Sequence, residues 1–223
     1  MLKKFIILLN SCFIITFFMA CQTTYPPVTS STEDLKKEIS DLKQQMEKNE
    51  YENQQEIERT KKANDLLAES LKDEIQKNQI VINRYRDILT IKISEEIFFD
   101  SGSAEIKKSG FNVLNRIGKI MINFPDKMIK IEGHTDNVPI AAGYKHVFPN
   151  NWALGATRAI NVAEYFVKDL KFDPKRLEVA SFSMYRPLVP NTSAVNRAKN
   201  RRIEIVLINK NMYLYQTTGV KEY

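Results

Sequence analysis

Residues 131–140 read Ile-Glu-Gly-His-Thr-Asp-Asn-Val-Pro-Ile, and residues 151–159 read Asn-Trp-Ala-Leu-Gly-Ala-Thr-Arg-Ala. From Met128 to Gly133 the pattern alternates as a half-buried strand does. Polar Thr135, Asp136 and Asn137 end it, and a loop with Pro139, Gly143 and Pro149 follows. Between Trp152 and Leu170 a helical stretch offers Leu154, Ile160, Val162, Ala163 and Phe166 for a core. Asp136 thus falls just past a strand end, and Arg158 falls in the second turn of the helix that comes next. Upstream, Phe111, Leu114, Ile117, Ile120, Met121 and Phe124 mark a helix over 107–124 that Pro125 stops. Thr90–Ile93 and Ile97–Phe99 read as strand, closed by Asp100-Ser101-Gly102-Ser103, and Leu177–Phe182 and Ile203–Ile208 read as two more. This order predicts an α+β sandwich over residues 91–209, a βαβαβ-type small mixed sheet with two main helices on one face. Residues 210–223 form a peripheral tail.

The chain before this domain has a different texture. Residues 33–90 contain no proline and no glycine and are dense in Glu, Lys, Gln and Asn. A three-four spacing runs through Leu35, Ile39, Leu42, Met46, Asn49, Asn53, Ile57, Thr60, Asn64, Leu67, Leu71, Glu74, Asn78, Val81, Tyr85 and Ile88. That spacing predicts a helical coiled-coil spacer able to form a homo-oligomer, or else a lone charged helix. Ser31 or Thr32 stands where a cap belongs, with Glu33 and Asp34 in the first turn. Residues 22–32, with two prolines, read as a flexible tether. Residues 1–20 read as a signal peptide: Lys3 and Lys4, then an apolar run too short to span a bilayer comfortably. Phe18-Met19-Ala20-Cys21 resembles a bacterial lipobox, which implies lipid on Cys21; an uncleaved signal anchor is the alternative.

Composition limits the function classes. With 43% hydrophobic and 10% aromatic residues the chain can bury a core, which excludes wholesale disorder. Its two cysteines are Cys12 and Cys21, so the mature chain has no pair for an internal disulfide. Residues 22–90 carry a net charge of −3 and residues 91–223 a net +7. The positive field of the C-terminal part suits an anionic partner. Export argues against nucleic acid and favours a cell-wall polymer.

Phe99-Asp100-Ser101-Gly102-Ser103-Ala104, the 131–140 and 151–159 stretches, Arg186-Pro187 and Asn200-Arg201-Arg202-Ile203-Glu204 occur in that order. Together they resemble the OmpA-like peptidoglycan-binding domain, and the Asp-Asn-x-Pro-Ile variant looks most like its MotB-type branch. The resemblance covers about residues 95–208. It implies a ligand, the zwitterionic end of a meso-diaminopimelate side chain in a peptidoglycan stem. By resemblance Asp136 receives the ammonium and Arg158 the carboxylate, a pairing that suits the forked guanidinium. Asn151 and Arg201 line the same pocket, with backbone of Gly102 and Thr135 contributing. Two positions depart from the family pattern: Gly155 stands where a serine is common, and Ser181 where a glycine is usual.

Catalysis is not expected. Ser101 or Ser103 with His134 and Asp136 lacks the G-x-S-x-G elbow, and Asp136 lies only two residues from His134. No separated acid pair suggests a glycosidase. His134 and His146, with no thiol nearby, suggest no metal site, and no cofactor is expected. A stator role is disfavoured because residues 5–20 hold no acid. The expectation is an outer-membrane lipoprotein that holds the wall noncovalently, its globule in the periplasm. The alternatives are an adaptor in an envelope machine that engages partners through the coiled coil, and a surface-exposed lipoprotein.

Overall fold

The sheet begins earlier in the chain than the sequence pattern suggests. The computed structural model describes residues 31–210. Cys21, the signal stretch, most of the tether and residues 211–223 lie outside the described residues. Two compact units divide the chain, residues 1–50 and residues 51–223.

Helix α1, Thr32–Ser70, starts in the first unit. Ser31 caps it: its Oγ accepts from the Asp34 N–H at 3.1 Å, and Asp34 Oδ2 accepts from the Ser31 N–H at 3.1 Å. This reciprocal pair satisfies two donors that a helix start leaves open. Within the first unit Leu35, Ile39, Leu42 and Met46 are exposed.

In the second unit the same helix changes role. Thr60, Ala63, Leu67 and Leu71 are fully buried. Ala63, Leu67 and Leu71 belong to a single core cluster with Leu114, Ile117, Met121 and Phe166. Burial of a leucine side chain contributes about 1.5–3 kcal/mol, so the end of α1 is part of this domain. The expected coiled-coil seam is therefore corrected at Thr60, Leu67 and Leu71: those positions serve the chain's own core.

The expected helix over 33–90 is corrected as well. It ends at Ser70, and after the short α2 (Lys72–Gln76) the chain forms β1 (Ile80–Tyr85) and β2 (Ile88–Ser94). Asn78 stops the helix by taking a left-handed conformation at φ 56°. The Gln79 N–H then donates back to the Glu74 carbonyl at 2.9 Å, the wrap typical of a helix C-terminus. β1 and β2 form an antiparallel hairpin, Ile80 opposite Ile93 and Tyr85 opposite Ile88.

Past β2 come α3 (Glu95–Phe98), α4 (Lys108–Met121), β3 (Lys127–His134), α5 (Asn151–Lys168), β4 (Leu177–Ser183), α6 (Ala194–Asn200) and β5 (Arg202–Asn209). Residues 97 and 98, expected in a strand, form the single turn α3, which the Phe99 N–H closes on the Glu95 carbonyl at 2.9 Å. Adjacent Phe98 and Phe99 are both buried. Ile160, counted as a core candidate, is exposed, as is Phe111 of the helical spacing.

The fold is the expected α+β class: a five-stranded mixed sheet in the order β1-β2-β5-β3-β4, with only β3 and β4 parallel. Leu89, Ile91, Ile93, Ile129, Ile131, Ile203, Ile205 and Leu207 give its core face. Alternation sends Lys130, Glu132, His134, Arg202 and Glu204 to the other face. Among the described residues no helix is long and apolar enough to cross a membrane.

Candidate functional site

β3 and α5 approach so closely that neither can carry a side chain at the crossing. A Cβ on Gly133 would stand 2.0 Å from the Gly155 carbonyl oxygen. A Cβ on Gly155 would stand 2.5 Å from Ser181 Oγ, which donates to the Trp152 carbonyl at 3.0 Å. The two departures from the family pattern thus compensate: Ser181 fills the space that Gly155 leaves. This close crossing holds the end of β3 and the start of α5 together, and with them the residues singled out by sequence.

Asp136 follows β3 and is buried, 6% exposed. Its Oδ1 accepts from the Val138 N–H at 2.9 Å, and its Oδ2 accepts from Arg201 Nη1 at 2.7 Å. Asn151, the first residue of α5, donates through Nδ2 to the carbonyls of Asp136 (3.2 Å) and Val138 (3.0 Å), pinning the loop. Arg201 also reaches Glu95, its Nε 2.6 Å from Oε2. Arg158 on α5 donates from Nη2 to Glu95 Oε1 at 2.5 Å and from Nε to the Ser103 carbonyl at 2.8 Å. Its guanidinium carbon lies 4.9 Å from the centre of the Phe99 ring. Asp136, Arg201, Glu95 and Arg158 therefore form one chain of alternating charge.

The resemblance gives Asp136 and Arg158 the two ends of one ligand. Each has its own partner in the structure, Arg201 for the aspartate and Glu95 for the arginine. The two arginines differ in access: Arg158 is 2% exposed, whereas the Arg201 side chain is 37% exposed. Burial lowers the pKa of Arg158 from its ordinary value, partly offset by Glu95. Burial pulls Arg201 the same way, but the hydrogen bond to Asp136 and the charge of Glu95 outweigh it and raise its pKa. Both remain cations at neutral pH.

Gly102 and Thr135 have more limited parts. Gly102 has φ +71°, a conformation that favours glycine, in the turn that presents the Ser103 carbonyl to Arg158. The Thr135 N–H is committed to the Ser183 carbonyl at 2.9 Å, and its Oγ1 donates to the Asp136 carbonyl at 3.0 Å. Asn200 is fully buried and braces the loop before α6, accepting from the N–H groups of Leu188 and Val189. Arg202 turns away to Glu204 on the opposite face of the sheet.

Glu95 was missed by sequence reasoning. The expected strand at 97–99 hid the turn that places it, and Glu95 and Glu96 look alike in the sequence. Its signal was position: an acid directly after an alternating strand.

Residues 98–201 match the model of the OmpA family. Motility protein B of Bacillus subtilis (strain 168) is 32% identical over 155 residues, 70% of this chain and 57% of the relative. "Probable lipoprotein YiaD" of Escherichia coli (strain K12) is 26% identical over 143 residues, 64% of this chain and 62% of the relative. The chain thus spans about three fifths of these curated relatives. Among solved structures, a MotB-like protein from Desulfovibrio vulgaris is 28% identical with a TM-score of 0.64, over 71% of this chain and 96% of that one. The cell wall anchor of the T6SS from Pseudomonas aeruginosa is 30% identical with a TM-score of 0.58, over 65% of this chain and 97% of that one.

Proposed function

Because residues 98–201 are an OmpA-family domain, we propose that the second unit grips the peptide stems of peptidoglycan noncovalently and catalyses nothing. The proposed binding site comprises Glu95, Asp136, Asn151, Arg158 and Arg201, with Gly102 and Thr135 in the segments beside them. One observation carries this reading: two acids and two arginines alternate along one short chain of ion pairs. A zwitterion such as the end of a diaminopimelate side chain can enter such a chain by exchange. Its ammonium replaces Arg201 at Asp136 Oδ2, and its carboxylate takes the freed Arg201 fork. Arg158, held by Glu95 and the Ser103 carbonyl, adds its charge from beneath.

Lipid on Cys21 in the outer membrane would hold the chain there, with the pocket in the periplasm and membrane and wall tied together. Self-association of α1 fits this reading through Leu35, Ile39, Leu42 and Met46, which are exposed. A second reading, a wall-anchored adaptor in an envelope machine, is favoured by the likeness to motility protein B and to the T6SS cell wall anchor. In it the same apolar positions meet a different protein.

The test is cosedimentation of the full chain with purified diaminopimelate-type sacculi. Saturable pelleting that Asp136→Ala and Arg201→Ala both abolish supports the proposal. A folded wild-type chain that stays in the supernatant overturns it.

A further inference from the structure

The sheet face turned away from the helices carries a second constellation, separate from the stem pocket. Glu132 and His134 lie two residues apart on β3 and so share a face, and Glu204 of β5 sits directly opposite Glu132 in the strand register. One ligand atom from each falls within 4.8 Å of the others. His134 Nε2 is 3.6 Å from Glu132 Oε2 and 3.9 Å from Glu204 Oε1. In a tetrahedral zinc site with bonds of about 2.0–2.2 Å, neighbouring ligand atoms stand roughly 3.4 Å apart. The set is already close to that spacing.

The imidazole itself points to a ligand. His134 is 3% exposed, yet neither of its ring nitrogens has a hydrogen-bond partner. Buried polar groups are bonded in the great majority of proteins, and one that is not calls for an unseen partner. Its ring is fixed by stacking on Phe182, with centroids 5.3 Å apart and planes at 28°. That stack keeps Nε2 aimed between the two carboxylates.

We propose that Glu132, His134 and Glu204 bind one divalent cation of the zinc class, with water as fourth ligand. One nitrogen and two carboxylate oxygens form a donor set that suits zinc, and three protein ligands leave an open position. Lys130 Nζ stands 3.2 Å from Glu132 Oε1, leaving Oε2 to face the histidine. Arg202 Nε shares Glu204 Oε1 at 2.5 Å. Lys92, opposite Glu204 on β2, adds a third cation to the surroundings. These cations orient the carboxylates as outer-shell groups do, but they also repel a dication. Its ligands come from two strands 70 residues apart in sequence, so no local spacing betrays it.

The experiment is equilibrium dialysis of the full chain, stripped with chelator, against zinc chloride, with metal counted in the protein compartment. One zinc per chain is expected, with affinity reduced at least about tenfold in Glu204→Gln and in His134→Gln; even outer-shell losses cost that much. His146→Gln, which removes the other, exposed histidine, leaves binding unchanged. Circular dichroism checks each fold, and if His134→Gln does not fold, the near-isosteric Glu204→Gln decides. No saturable zinc binding by the folded wild type overturns the proposal. So does binding that survives Glu204→Gln or that vanishes in His146→Gln.

Discussion

Replacing Glu95 by alanine removes the one carboxylate that joins both arginines of the pocket. Arg158 loses its 2.5 Å ion pair and keeps only the Ser103 carbonyl as a bonded partner, at a position 2% exposed. Breaking a buried pair from one side costs about 3–5 kcal/mol, because the stranded charge stays desolvated. Without Glu95 the nearby Arg201 charge disfavours the Arg158 cation more than Asp136 favours it, so the expected loss is at least about 3 kcal/mol. The Arg201 contact adds less, since that side chain is 37% exposed and an open ion pair contributes about 0–1 kcal/mol. For a unit of this size, about 3 kcal/mol corresponds to a fall in Tm of roughly 6–12 °C. Thermal unfolding followed by circular dichroism reads this directly. Arg201→Ala leaves buried Asp136 with only the Val138 N–H at its carboxylate and should cost less than Glu95→Ala, about 2 kcal/mol, in the same assay. Glu95→Ala with Arg158→Met should recover much of the loss, because removing both charges strands neither. A Glu95→Ala protein within about 1 kcal/mol of wild type, or no more affected than Arg201→Ala, would refute the claim that Glu95 neutralises a buried arginine.

Three further outcomes follow from the geometry. Gly133→Ala puts a Cβ 2.0 Å from the Gly155 carbonyl oxygen, a backbone atom with no side-chain freedom to yield. The cost should reach the top of the overpacking range, about 3 kcal/mol, in urea unfolding; a loss below about 1 kcal/mol would show that β3 and α5 can separate freely. Lys127→Met strands the Glu56 carboxylate, which is 14% exposed, and cuts the bonds from Lys127 Nζ to Thr60 Oγ1 (2.9 Å) and to the Asp87 carbonyl (3.2 Å). Discounting the buried-pair figure for that partial exposure leaves about 2 kcal/mol, and unchanged stability would detach the end of α1 from the domain. Burial pushes the pKa of Glu74 up, but the hydrogen bond and charge of Arg116 win and hold it below the ordinary 4.5. Its contribution is therefore full above pH 4.5 and lost as pH falls through the lower folded value. Glu74→Gln should flatten the stability profile below pH 4.5, and an unaltered profile would contradict the assignment.

The central strands and two main helices were legible because their punctuation is strong. Pro125 marks the break after α4, which ends a turn earlier at Met121, and Ile129 and Ile131, or Ile203 and Ile205, alternate across β3 and β5. The hairpin of β1 and β2 was not, for two reasons. Its turn at Arg86 and Asp87 contains no glycine or proline, although Arg86 sits at φ 52°. In addition, Asn78, Val81, Tyr85 and Ile88 continue the three-four spacing of α1 by coincidence, so a helical period overran a strand. Asn78 was the readable stop, since asparagine tolerates the left-handed conformation better than most residues.

In the pocket, sequence identified Asp136, Asn151, Arg158 and Arg201 as neighbours but not who pairs with whom. Asp136 and Arg158 are the two charges nearest in sequence, yet Arg201, 65 residues from the aspartate, is its partner because β3 and β5 lie side by side. Register of that kind is set by core alternation across the whole sheet and leaves no local trace.

The most direct measurement of the central claim is calorimetric titration of the full chain with a diaminopimelate-containing stem peptide, beside one in which ornithine replaces the diaminopimelate. The account predicts saturable binding of the first, lost in Asp136→Ala and in Arg201→Ala with folds intact. It also predicts clearly weaker binding of the ornithine peptide, which has the ammonium but not the second carboxylate. Equal affinity for both peptides, or binding indifferent to Asp136→Ala, would contradict the claim that this charge-alternating pocket recognises a zwitterion.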